Sequence, residues 1–212
     1  LKGVKQTSRQ RWNDAASQLS PGSAQHHTLA LKYVLRRLME KRRARVLDLG
    51  AAIGPNVAFV GRYAPKLYIA DLYNTIRSRV GGLPKDQKQL ERLLAKELPS
   101  AELGPFDLIL AWDLMNYLSG EQMVSLGRHL ARLCRQDSLV FALITNSKEM
   151  PSQPIRFRIV DTDTLSYTID SSLERPSPLF KEPDLKRWLP DFKVETSFLL
   201  RNGFQEYVLL HP

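Results

Sequence analysis

Apolar runs that stop at an acid constrain this chain more than any other feature. "RVLDLG" (45–50), "KLYIAD" (66–71) and "FDLILAWD" (106–113) each contain a short apolar strand meeting an aspartate, and "SLVFALI" (138–144) is a fourth buried run. Val, Ile and Leu without alternation mark strands covered on both faces, which lie in parallel sheets joined by helices. Helical periodicity sits between them. Leu31, Val34, Leu35 and Leu38 predict a helix from Ser23, with His27 on its apolar side. Val57–Tyr63 predicts a second helix, with Pro55 in its first turn, and 87–98 a third. Ser119 and Gln122 have capping-box spacing ahead of Met123, Leu126, Leu130, Leu133 and Cys134. Near the end, "EPDLKRWLP" (182–190) reads as a short helix. "FKVETSFLL" (192–200) and "FQEYVLL" (204–210) are strands joined through Asn202-Gly203, a strong hairpin signal. We therefore expect an α/β fold, doubly wound and mostly parallel, that closes with an antiparallel hairpin.

Two segments break the pattern. Between Asp71 and Phe106 the rhythm calls for another strand, and none is legible. Residues 146–180 are rich in Pro and Ser. They carry two alternations, Ile155/Phe157/Ile159 and Leu165/Tyr167/Ile169, which predict a hairpin around 161–164 in an insertion over one rim of the sheet. Residues 1–22 end at Ser20-Pro21-Gly22 and read as a basic arm, leaving 23–212 as a single domain.

At 212 residues the chain can fill one sizeable core. Its single cysteine, Cys134, excludes an internal disulfide. The longest apolar run, Leu139–Ile144, is too short to span a bilayer, and no charged-then-apolar leader precedes the first strand. These features lead us to expect a cytoplasmic protein. The net charge of +9 is concentrated in residues 1–45, where eleven Lys and Arg face two acids. Arg36, Arg37, Arg42 and Arg43 make RNA or another anionic partner one reading of that region, and a solvated helix face the other.

The glycine run "LDLGAAIGPN" (47–56) lies between a strand and a helix, where free N–H groups and the helix dipole meet a tight turn. Small residues there let a ligand approach the main chain. Asp71 follows Gly50 by 21 residues, the place where a carboxylate accepts ribose hydroxyls. The dinucleotide pattern would need glycines where Ala52 and Pro55 stand, and proline removes an N–H that pyrophosphate would use. S-adenosyl-L-methionine has no phosphate. Asp48, Gly50, Ala51, Ala52, Gly54, Asn56, Asp71, Leu72 and Asp113 are the residues expected to hold it.

"VLDLGAAIGPN", "YIAD", "FDLILAWDLMNYLS" and the closing hairpin resemble the class I S-adenosylmethionine-dependent methyltransferases over about 28–145 and 182–212. The resemblance implies a Rossmann-like sheet of seven strands with the last one antiparallel, S-adenosylmethionine at 50–54 and Asp71, and methyl transfer beside Asp113. A small-molecule acceptor is the leading expectation, with the 146–180 insertion at its rim. Asp113, Asn116 and Tyr117 are the catalytic candidates, joined by His26 or His27 if the N-terminal helix covers the pocket. Trp112 reads as a buried wall. No metal site is expected. RNA methylation is an alternative, and so is a non-catalytic scaffold with its pocket blocked by side chains. No Asn-Pro-Pro-Tyr motif follows the fourth strand, which argues against transfer to a nucleobase nitrogen.

Overall fold

The computed structural model describes residues 23–79, 83–169 and 173–212; the expected basic arm, 1–22, lies outside the described residues. Ser23–His27 forms β1, and α1 runs from Leu29 to Met39. The expected helix start is therefore corrected from Ser23 to Leu29. Thr28, in extended geometry, caps α1 by accepting from the Leu31 N–H, so the preceding residues are free to pair as a strand. Strand alternation then leaves His27 exposed and turns His26 inward.

β2 (Arg45–Asp48), α2 (Gly54–Val60), β3 (Lys66–Ile69), α3 (Leu72–Arg77) and α4 (Gln87–Glu97) follow. After β4 (Phe106–Trp112) comes a single 3-10 turn, Leu114–Tyr117, then α5 (Gly120–Arg132) and the long β5 (Cys134–Thr145). The capping box at Ser119 and Gln122 is present at the start of α5. The insertion supplies β6 (Glu149–Pro151), β7 (Arg156–Asp161), β8 (Thr164–Thr168) and β9 (Glu174–Pro176). The chain closes with α6 (Glu182–Trp188), β10 (Lys193–Leu199) and β11 (Phe204–His211).

The main sheet has the order β10-β11-β5-β4-β2-β3. β3, β2, β4 and β5 are parallel, while β11 runs antiparallel to both β5 and β10. Six strands, not seven, make this sheet among the described residues. The segment between α3 and β4 gives α4, capped by Asp86 and burying Leu90, Leu93 and Leu94, and a turn of 3-10 helix at Ala101–Leu103. Its apolar residues follow the helical period and have no strand pattern to offer, so β3 is the edge.

Alternate residues of the central strands feed two cores. Leu47, Ile109, Val140 and Tyr207 face α3, α4, α5 and α6, whereas Val46, Leu108, Phe141 and Val208 face α1, α2 and the insertion. The predicted hairpin exists as β7–β8, and β1 pairs with β8 to complete a small antiparallel sheet. Its inward residues Phe157, Ile159, Leu165 and Tyr167 join the second core, which seals the insertion onto the α2 side of the carboxyl edge. Among the described residues no helix is long and apolar enough to cross a membrane.

Candidate functional site

The carboxyl ends of β2 and β4 meet where the sequence places its glycine turn. Asp48, 2% exposed, closes β2, and its Oδ1 accepts the Gly50 N–H at 2.8 Å. The same oxygen accepts the indole N–H of Trp112 at 2.6 Å. Trp112 sits at the end of β4, where the pairing with β5 shifts register and the backbone turns to φ +50°. A large aromatic in the left-handed region is uncommon and is held there only by its surroundings. Phe157 lies parallel to the indole at 5.8 Å and Phe141 meets it edge-on at 5.7 Å.

This indole fills the space that the glycine makes. A Cβ on Gly50 would lie 2.6 Å from Trp112 Cδ1 and 2.7 Å from Nε1. The other side of the corner is also packed. Leu72 and Tyr73 of α3 are buried in one cluster with Leu114, Met115 and Tyr117 of the turn after β4, and Ala51 packs against that cluster. Beyond it the turn opens: Ala52 and Pro55 are exposed, and a Cβ on Gly54 would meet nothing within 4 Å.

Apart from the histidines, each remaining polar candidate has a hydrogen-bond partner. Asp71 is the N-cap of α3 at φ +31°, taking the Asn74 N–H on Oδ1 and the Asn74 amide on Oδ2, and it is half-exposed. Asn56 is buried; its amide donates to Phe157 O at 2.9 Å and its Oδ1 accepts from Ile159 N at 2.8 Å, tying α2 to β7. Asp113, 1% exposed, accepts from the Ile155 N–H at 2.9 Å. Asn116 donates to Asp113 O and Leu143 O and accepts from Thr145 N. The Tyr117 hydroxyl lies 3.1 Å from Pro151 O and 2.7 Å from Gln153 O. His26 packs against Tyr167 and lies 3.9 Å from Glu206, while His27 lies 3.9 Å from Asp163.

The fold thus gathers Asp48, Gly50 and Trp112 in one group and ties Asp113 and Tyr117 to the insertion in another, while the histidines hold contacts of their own. Burial pushes the Asp48 carboxyl up to about 6 against the two hydrogen bonds that pull it down, and pushes Asp113 up to about 8. Asp113 therefore holds its proton to higher pH than an exposed aspartate does, and its Oδ2 is a hydrogen-bonded strut to the insertion. The sequence places Phe157 in a predicted hairpin but not at this corner, gives no sign of Tyr73, and shows Trp112 only as a wall. A tryptophan directly after an apolar strand was the one available signal.

No protein-family model matches the chain, and no curated protein does. Among solved structures it is similar to magnesium protoporphyrin IX methyltransferase from Synechocystis PCC 6803 with bound SAM, at 13% identity, covering 100% of this chain and 86% of that one with a TM-score of 0.47. It is also similar to 1,6-didemethyltoxoflavin-N1-methyltransferase from Burkholderia thailandensis, at 19% identity over 96% and 81% of the two chains, TM-score 0.45. A third is an S-adenosylmethionine-dependent methyltransferase from Clostridium acetobutylicum ATCC 824, at 10% identity over 85% and 89%, TM-score 0.47. At such values the likeness carries nothing about this chain's ligand or chemistry, which rest on its own residues.

Proposed function

We propose that this chain has the architecture of the class I methyltransferases without methyl transfer, and works as a binding or scaffold protein. One observation carries the reading: the Trp112 indole lies against Gly50 and donates to the Asp48 Oδ1 that also accepts the Gly50 N–H. The amino-acid end of S-adenosylmethionine would need the Gly50 main chain and an acid to match its ammonium. The indole stands against the first and engages one oxygen of the second, so in this arrangement it competes with that end of the cofactor. Asp113 Oδ2 and the Tyr117 hydroxyl bond the insertion, and Asn116 spends its amide on the turn after β4 and on β5.

A second reading is an S-adenosylmethionine-dependent methyltransferase with a small-molecule acceptor. The intact spacing of Asp48, Gly50, Ala52, Gly54 and Asp71, and the open surface at Gly54, favour it. There Asp71 would hold the ribose and 50–54 the methionine part, and the cofactor would supply an electrophilic methyl group. It requires Trp112 to leave the corner.

Titration calorimetry with S-adenosylhomocysteine separates the two. The scaffold reading expects no heat of binding from the unaltered protein even at millimolar ligand, and binding in the folded Trp112→Ala variant. Micromolar binding by the unaltered protein, abolished in Asp71→Ala, would overturn it in favour of the enzyme.

A further inference from the structure

Away from the glycine turn, on the side of the carboxyl edge facing α3 and α5, lies a cavity of about 630 Å3. That is within the range of small-molecule sites. Separate stretches of chain wall it: the end of α3, the approach to α4, the turn that opens α5, and the insertion. Its charged lining is lopsided. Among the described residues Arg77, Arg79, Lys85 and Arg175 face it against a single acid, Glu121. Cations drawn from distinct segments onto one concave surface reinforce one another's potential, because the low-dielectric walls focus the field.

The floor is built to hold a body as well as a charge. Tyr117, 9% exposed, is pinned through its hydroxyl to the main chain at 151 and 153, and the Arg175 guanidinium lies over its ring at 5.9 Å. Ile76, Leu83 and Leu118 add apolar surface. Burial pushes the carboxyl of Asp113, a neighbour of Tyr117, up to about 8, which limits the negative charge beneath. α5, thirteen residues long, begins at this wall with its positive end.

We propose that this cavity binds a phosphate-bearing small molecule of nucleotide size. A diphosphate matches the cationic rim through charge-assisted hydrogen bonds to guanidinium groups, and a flat or apolar body matches the floor. Walls on several sides suit a small ligand better than a polynucleotide, which needs an open track. The proposal stands whether or not Trp112 ever leaves Gly50.

The test is calorimetry of the whole protein with ADP, pyrophosphate and adenosine. ADP and pyrophosphate are expected to bind and adenosine not to. Affinity for ADP should fall about tenfold in Arg79→Gln and again in Arg175→Gln, both exposed positions that leave the core intact. Arg42→Gln with Arg43→Gln, at the amino end of the sheet, should leave it unchanged. No binding of ADP at millimolar concentration overturns the proposal, as does equal weakening by the Arg42 and Arg43 changes. Competition from S-adenosylhomocysteine would put ADP at the glycine turn, and retention of an RNA oligonucleotide alone through Arg79 and Arg175 would make the ligand a macromolecule; either result overturns it too.

Discussion

Gly50 and Trp112 act as one packed unit, with opposite consequences for a glycine in an open cradle and a glycine under an indole. In an open turn, Gly50→Ala would meet space. Here the added Cβ runs into a ring clamped between Phe141 and Phe157, so we expect a loss of about 1–3 kcal/mol in urea unfolding. Trp112→Ala alone should cost about 3–5 kcal/mol, and the double variant less than the sum, because the clash goes with the ring. Additive losses would mean the two residues do not touch in solution. Asp113 makes a pH prediction at the same scale. An unfolded aspartate titrates near 3.9, whereas burial raises this one to about 8. Between those values the folded chain keeps a proton the unfolded chain has released, so stability falls as pH rises across the window. Asp113→Asn can still accept from the Ile155 N–H and does not titrate. Its stability relative to the unaltered protein should therefore increase from about pH 5 to about pH 8, read as the difference in unfolding free energy. A constant difference would show that Asp113 is already charged in the folded state.

The insertion is an element that the sheet holds by polar pegs as well as by apolar burial. Asn56 satisfies Phe157 O and Ile159 N, one group on each side of Arg158, as a neighbouring strand would. Asn56→Ala leaves both main-chain groups buried without that partner and should cost about 2–4 kcal/mol. Because the loss falls on β7, limited proteolysis should cut first within 146–180. Cleavage elsewhere first would show that β7–β8 stays docked through Phe157, Ile159 and Tyr167 alone. The pairing of β1 with β8 gives the same insertion a second tether, from a segment whose helical periodicity begins only after Thr28.

For the molecule as a whole, the charge imbalance among residues 1–45 is partly spent inside the fold. Arg37 donates to the Tyr33 hydroxyl and lies 3.9 Å from Glu195, and Lys41 lies 3.9 Å from the buried Asp107. Arg42 and Arg43 are exposed. Were this face to meet RNA, retention at low salt would weaken when Arg36, Arg42 and Arg43 are neutralised, and three matched phosphates would lose about fortyfold in affinity between about 50 and 200 mM salt. Retention that ignores those substitutions would remove RNA as a partner of this face. The sequence order of the six main-sheet strands and of α2, α4, α5 and α6, the capping box before Met123, the turn at Asn202-Gly203 and the hairpin around 161–164 were legible in the chain, because each is a local preference written within about a dozen residues. The number of strands was not. The stretch before Phe106 carries helical spacing where the fold's rhythm asks for a strand, and only the assembled sheet shows β3 at its edge. The site divided in the same way. By itself the sequence determined that small residues and acids stand at strand ends; the tertiary structure alone decided what fills the space between them. Trp112 and Asp48 are 64 residues apart, and Phe157 comes from an insertion beyond β5. Whether a glycine turn receives a ligand or a side chain depends on which atoms arrive there, and contacts at that separation leave no period in the sequence to read.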